Sequence, residues 1–167
     1  MPGGEAPAGP GRTRMGLMDT AFVHEGAGFE QLCSGLRRDG GHWALALDGL
    51  LMRSRFQPIY SLVHGRAVGH EALLRAEDAR SELALKPPLA LRGDGSFADL
   101  LRRDRAARLI HAMNFAEMAP PAHWLFFNMQ PQVFVAAARL EHDRFQGALL
   151  ARSGLKGYQL VLEVLED

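Results

Sequence analysis

Apolar residues recur along this chain in two different periods, and the changes of period mark its elements. From Gly28 to Arg38, Phe29, Leu32 and Leu36 follow a helical spacing that the Asp39-Gly40-Gly41 turn closes, and a second short helix is expected from Trp43 to Arg53. Arg55 to Val63 reads as a strand, and its internal Pro58 points to an edge or an unusually paired position, because proline has no N–H to give a ladder. His64-Gly65 is a tight turn, and Arg66 to Arg75 is the second strand of a hairpin. Glu77 to Gly95, with Lys86-Pro87-Pro88 and Gly93-Asp94-Gly95, reads as a long loop. Ser96 offers an N-cap, with Asp99 three residues on, to a helix reaching about Asn114 whose face carries Phe97, Leu100, Leu101, Ile110 and Met113.

Trp124 to Met129 is a nearly all-apolar run, as expected of a buried parallel strand. Pro131 suits a first helical turn, and a helix to about Leu140 follows. Another helix spans about His142 to Arg152 and stops at Gly154; Tyr158 to Glu166 is a final apolar strand. A hairpin followed by helix, strand, helix, strand is α/β architecture, with crossover helices joining parallel strands.

Composition narrows the function classes. The 167 residues are 47% hydrophobic and 23% charged, enough for one core, and 19 Lys+Arg balance 19 Asp+Glu. A polynucleotide held through its phosphates needs clustered positive charge and is not expected, whereas a small anionic ligand is compatible. The single cysteine, Cys33, excludes an internal disulfide and reads as structural. No apolar run approaches the roughly 18 residues of a membrane helix, and the Gly/Pro/Ala-rich start lacks a signal-peptide core, so the expected address is cytoplasmic. Residues 1–20 read as a disordered tail with Met15 or Met18 as alternative starts, 21–50 as a helical lead-in, and 51–167 as the folded unit.

Three strands carry an oxygen ligand near the C-terminal end of an apolar run: Glu71, Asn128 and Glu163. In parallel α/β sheets ligands converge at that end. Two carboxylates and an amide form a hard-oxygen set suited to Mg²⁺ or Mn²⁺, which can polarise a phosphoryl oxygen and acidify water. Arg75, on the same face as Glu71, could pair with a phosphate. The pattern equally allows Glu71 and Glu163 to be solvent-facing strand ends and Asn128 to cap the helix at Pro131.

The literal residues go further. FQPIYSLVHGRAVGHEALLR resembles the opening of an EAL domain, the family of cyclic di-GMP phosphodiesterases named after the tripeptide that here is Glu71-Ala72-Leu73. LFFNMQPQVF resembles the family's Asn-containing strand and LVLEVLE its Glu-x-Thr-Glu strand, in the right order over about residues 50 to 167. The resemblance implies a modified TIM barrel whose first strand runs antiparallel. It implies Glu71, Asn128 and Glu163 as ligands of Mg²⁺ or Mn²⁺, with Glu71 catalytic and Gln57 and Arg75 contacting the dinucleotide. The implied reaction is hydrolysis of cyclic di-GMP to linear pGpG.

Departures from the family pattern are specific. Leu165 stands where Thr is common and Gln130 where Ser is, and His70 has the parity of a residue packed against a helix. The family's later Asp-Asp pair, catalytic Lys and further Glu have no counterpart before Asp167; Lys86 and Lys156 lie in expected loops. A barrel of this kind needs about 240 to 250 residues, so residues 51–167 are expected to form only the N-terminal half of a barrel, with negligible hydrolysis alone. The alternative is a non-catalytic module that binds the nucleotide or a partner and associates as an oligomer through its open sheet. Arg102-Arg103-Asp104-Arg105 with Arg108 reads as a solvated helix face, and Phe126, Phe127 and Phe134 as core. His24, His42, His64, His111, His123 and His142 show no ligand spacing, and there is no Walker-type phosphate loop.

Overall fold

A computed structural model describes residues 25–139 and 143–164. The expected tail at 1–20, the end of the helix at Leu140, and Leu165 and Glu166 lie outside the described residues, as do His24 and His142.

Helix α1 (Glu25–Ser34) leads into an antiparallel meander of β1 (Leu36–Asp39), β2 (His42–Leu47), β3 (Leu50–Ser61) and β4 (Arg66–Asp78). The short β5 (Ala84–Leu85) pairs with β4, followed by α2 (Pro87–Arg92) and α3 (Phe97–Met118). Next come β6 (Trp124–Met129), α4 (Pro131–Arg139), α5 (Asp143–Ser153), a single 3₁₀ turn (Gly157–Gln159) and β7 (Leu160–Val164). The sheet order is β1-β2-β3-β4-β6-β7, antiparallel up to β4 and parallel from β4 through β6 to β7. It is an open, mixed α/β sheet that contains the expected hairpin as β3–β4, but β1 and β2 precede it within the stretch read as a helical lead-in.

The helix expected over Trp43 to Arg53 is instead a strand, a turn and a strand. Leu47 pairs with Leu50 across the two-residue loop Asp48-Gly49, both at positive φ (50° and 77°). Asp-Gly is the pair a type I′ hairpin turn selects, and it overrides the helical propensity of the Ala and Leu around it. Gly40-Gly41, at φ 56° and 85°, makes the same kind of link between β1 and β2, so the helix expected to Arg38 ends at Ser34. The stretch expected as a long loop contains α2, with Pro87 in its first turn.

Pro58 sits where β3 has outrun β2: β2 pairs only with Leu50 to Arg53, so the outer half of β3 is an edge that tolerates a missing N–H. The register slips between Ile59 and Tyr60, leaving Val68 as an extra residue on β4.

One sheet face is covered. Leu45, Met52, Ala72, Leu74, Leu125 and Phe127 pack with Leu109, Ile110 and Phe115 of α3, and Phe145 and Leu149 of α5 join Phe29 and Leu32 of α1 in the same core. Ser96 caps α3 by accepting the Asp99 N–H at 3.1 Å, as expected. Buried Asn114 ties α3 to β2: its Oδ1 accepts the Trp43 N–H at 2.7 Å and its Nδ2 donates to the Trp43 carbonyl at 2.8 Å.

The arginine run is not a solvated face. Arg108 is 1% and Asp104 2% exposed, joined by an Nε–Oδ2 hydrogen bond of 2.9 Å, with the guanidinium 4.8 Å from the Phe145 ring centroid. Burial pushes the Asp104 carboxyl up, and its attraction to Arg108 opposes the shift. Arg102 and Arg103 are held by Asp99, and Arg102 also by Asp48. Among the phenylalanines read as core, Phe127 is fully buried and Phe126 half-buried, but Phe134 is exposed on the outer side of α4.

Candidate functional site

The face of the sheet away from α3 carries the polar residues that the sequence singles out. Side chains alternate along a strand, and residues facing each other across a ladder share a face. Since Phe56, His70, Ala72 and Phe127 point into the α3 side, Gln57, Glu71 and Asn128 point to the other. Gln57 is directly opposite Glu71 in the β3–β4 ladder, and Asn128 directly beside Glu163 in the β6–β7 ladder. Glu71 pairs with Phe126, one pleat before Asn128.

The pairing of β4 with β6 makes the contact at the centre of the site: Asn128 Nδ2 donates to Glu71 Oε1 at 2.7 Å. Both side chains are half-buried, as is Glu163. Close approach of the two strands depends on Gly69, where an added Cβ would lie 2.8 Å from the Trp124 carbonyl oxygen and 3.0 Å from the Phe126 ring. Just past the C-terminal end of β6, the Gln130 backbone amide favours the charged form of the buried Asp104 carboxylate.

Arg75 lies farther along β4 than Glu71 on the same face, exposed, with one guanidinium nitrogen on the Leu74 carbonyl at 2.9 Å. It faces Arg53, which is occupied by Asp39 (2.5 Å) and Glu77 (2.7 Å). The structure thus joins Glu71 to Asn128 directly, sets Glu163 beside Asn128 and Gln57 opposite Glu71, and places Arg75 at the rim.

Beneath the sheet lies a histidine cluster that spacing alone did not reveal. His70 packs against Phe56 and Phe115, as its parity indicated, and the parallel pairing brings the His123 ring to 5.4 Å from it. Burial, with His123 as a lesser cause, lowers the His70 pKa. His111 is fully enclosed, with Nδ1 2.8 Å from Ser54 Oγ, and burial pushes its pKa down to about 3.

No protein-family profile matches the chain, and no curated protein matches it. Among solved structures, the EAL enzyme Bd1971 in its cAMP-bound form superposes with a TM-score of 0.55 at 14% identity, over 68% of this chain and 33% of that one. Klebsiella pneumoniae BlrP1 with FMN and cyclic diGMP gives a TM-score of 0.55 at 21% identity, over 89% and 38%. Its manganese/cyclic diGMP complex gives 0.54 at 18%, over 87% and 36%. The fold is EAL-like. The chain spans about a third of the length of these structures, and its open sheet corresponds to part of a barrel.

Within the EAL-like fold, the donor set can be tested for a divalent cation. Among the described residues no cluster of three or more His, Cys, Asp or Glu could hold a metal. The Glu71 and Glu163 carboxylates and the Asn128 amide oxygen are hard donors of the kind Mg²⁺ or Mn²⁺ take, ions that ordinarily keep several waters and bind phosphate oxygens of a substrate. Because Asn128 uses its nitrogen on Glu71, its carbonyl oxygen is left as the donor. No helix among the described residues is long and apolar enough to cross a membrane.

Proposed function

We propose that this chain supplies part of the site of an EAL-type cyclic di-GMP phosphodiesterase. The carrying observation is the Asn128–Glu71 hydrogen bond at the C-terminal end of the parallel pair β4–β6, with Glu163 in register beside Asn128. Glu71, Asn128 and Glu163 hold Mg²⁺ or Mn²⁺, which supplies charge to polarise a phosphoryl oxygen and acidify water. Gln57, opposite Glu71, orients the dinucleotide, and Arg75 at the rim offers a two-pronged guanidinium to its phosphate. Asn128, by its bond to Glu71, fixes where the carboxylate points. The covered face of the sheet keeps these groups on a rigid base.

Three oxygen donors suffice to bind, but the 167 residues carry no Asp-Asp pair, and both lysines, Lys86 and Lys156, stand outside this face. The expected behaviour is Mn²⁺-dependent binding of cyclic di-GMP with negligible conversion to linear pGpG. Calorimetric titration of the nucleotide with and without Mn²⁺, and chromatography of the same mixtures, test this. Absence of metal-dependent binding would sink the reading. Turnover abolished by Glu71→Ala would show that these residues suffice for catalysis, or that a second chain completes the site.

A second reading has its own observation. β7 is an edge of the sheet with Leu162 37% and Val164 43% exposed, which favours a non-catalytic module that associates through this strand. Light scattering separates the two: a monomer at all concentrations excludes the second.

A further inference from the structure

Three arginines share the open sheet face near Glu71, and they differ in how their charge is used. Arg53 is held by Asp39 and Glu77, and Arg75 spends one nitrogen on the Leu74 carbonyl. Arg55, midway between Arg53 and Gln57 on β3, is exposed and makes no hydrogen bond or ion pair with any described residue. Its cross-strand partner is Leu73, which offers no polar group, so the guanidinium has no neighbour directly opposite to satisfy it. Its diagonal neighbours on β4 are Glu71 on one side and Arg75 on the other, each about 7–8 Å away between Cα atoms.

We propose that Arg55 is a further ligand-binding residue, one that grips a phosphate of the nucleotide from the β3 side. This rests on the reading of the face as a cyclic dinucleotide site. A phosphodiester brought toward Glu71 and Asn128 carries a negative charge into a region that already holds two carboxylates. An uncommitted guanidinium beside them offsets that repulsion and provides fork geometry matched to two phosphate oxygens. Arg75 approaches from the rim, and Arg55 from inside the strand pair, so the two bracket the anion above Leu73.

The test is calorimetric titration of the 167-residue chain with cyclic di-GMP in Mn²⁺, comparing wild type, Arg55→Ala, Arg55→Lys and the control Arg92→Ala. Arg92 ends α2, away from the face, and circular dichroism checks that each variant is folded. Arg55→Ala is expected to weaken binding about tenfold to a hundredfold, the range of a charge-assisted hydrogen bond. Arg55→Lys recovers part of the loss, and Arg92→Ala changes affinity less than about twofold, as a distant exposed charge should. Unchanged affinity in Arg55→Ala, or equal weakening in Arg92→Ala, overturns the assignment of Arg55 while leaving the site reading intact. Failure of wild type to bind removes the site reading and Arg55 with it.

Discussion

The Asn128 amide and the Glu71 carboxylate, 57 residues apart in sequence, are joined by a 2.7 Å hydrogen bond across two neighbouring parallel strands. An amide can do this without adding a charge beside the carboxylate. On the proposed reading, Asn128→Ala removes one ligand and releases another. Mn²⁺ affinity measured by calorimetry is expected to fall at least about tenfold. An unchanged affinity would separate Asn128 from metal binding.

The buried Asp104–Arg108 pair makes a stability prediction with a distinctive sign. Asp104→Ala leaves the Arg108 guanidinium buried without its partner, a loss of about 3–5 kcal/mol. The double variant Asp104→Leu/Arg108→Met replaces both charges with apolar groups and is expected to recover most of it. Urea unfolding of the wild type and the two variants measures this; a double variant no more stable than Asp104→Ala would contradict it.

His111 makes stability depend on pH. Its folded pKa, about 3, lies below the ordinary 6.5, so the unfolded chain takes up the proton first. The stability it contributes is fully present above pH 6.5 and is lost as pH falls from there toward 3. Urea midpoints should therefore be flat above pH 7 and decline between pH 6.5 and 5, and His111→Gln should remove most of that decline, leaving the part contributed by His70, whose pKa burial also lowers. An undiminished slope after the substitution would assign it to another group.

Gly69→Ala tests the β4–β6 contact. The new Cβ meets backbone and a packed ring rather than a flexible side-chain end, so the strands must part. A loss of about 1–3 kcal/mol is expected, in the range of overpacking, together with weakened Mn²⁺ binding because Glu71 and Asn128 separate. Loss of stability with metal binding intact would mean that the strand spacing does not set the site.

Local signals in the sequence placed several elements with little error. Trp124–Met129 is the predicted strand residue for residue, Ser96 caps α3, Pro131 opens α4, and Gly154 follows the end of α5 at φ 76°. The errors arose where local and tertiary preferences conflict. Ala and Leu in Trp43–Arg53 suggest a helix, yet Asp48-Gly49 closes a hairpin that the neighbouring strands reinforce. The charges of Arg108 and Asp104 suggest solvent, yet the two pair at i,i+4 and are buried together, and spacing on one helix reveals the pairing but not the burial. For the site, the literal residues pointed to Glu71, Asn128 and Glu163. The direct Asn128–Glu71 bond was not legible, because it depends on the parallel register of strands separated by all of α3. Arg55 escaped notice for a related reason: its significance depends on which neighbours are already paired.

The β3–β4 ladder runs from Leu50 to Asp78 around a short connection, so Gln57, Glu71 and Arg75 come together by local closure alone. Hairpins close in about 1–10 μs, whereas parallel pairing must wait for an intervening helix to be placed. The Gln57, Glu71 and Arg75 half of the candidate site is therefore expected to form early, and the Asn128 and Glu163 half to be the later-folding part. In pulse-labelled hydrogen exchange, amides of β3 and β4 should gain protection before those of β6 and β7, and the reverse order would contradict this. Slow or incomplete docking of the parallel strands would then leave a nascent chain with Gln57, Glu71 and Arg75 already assembled and Asn128 and Glu163 still apart from them.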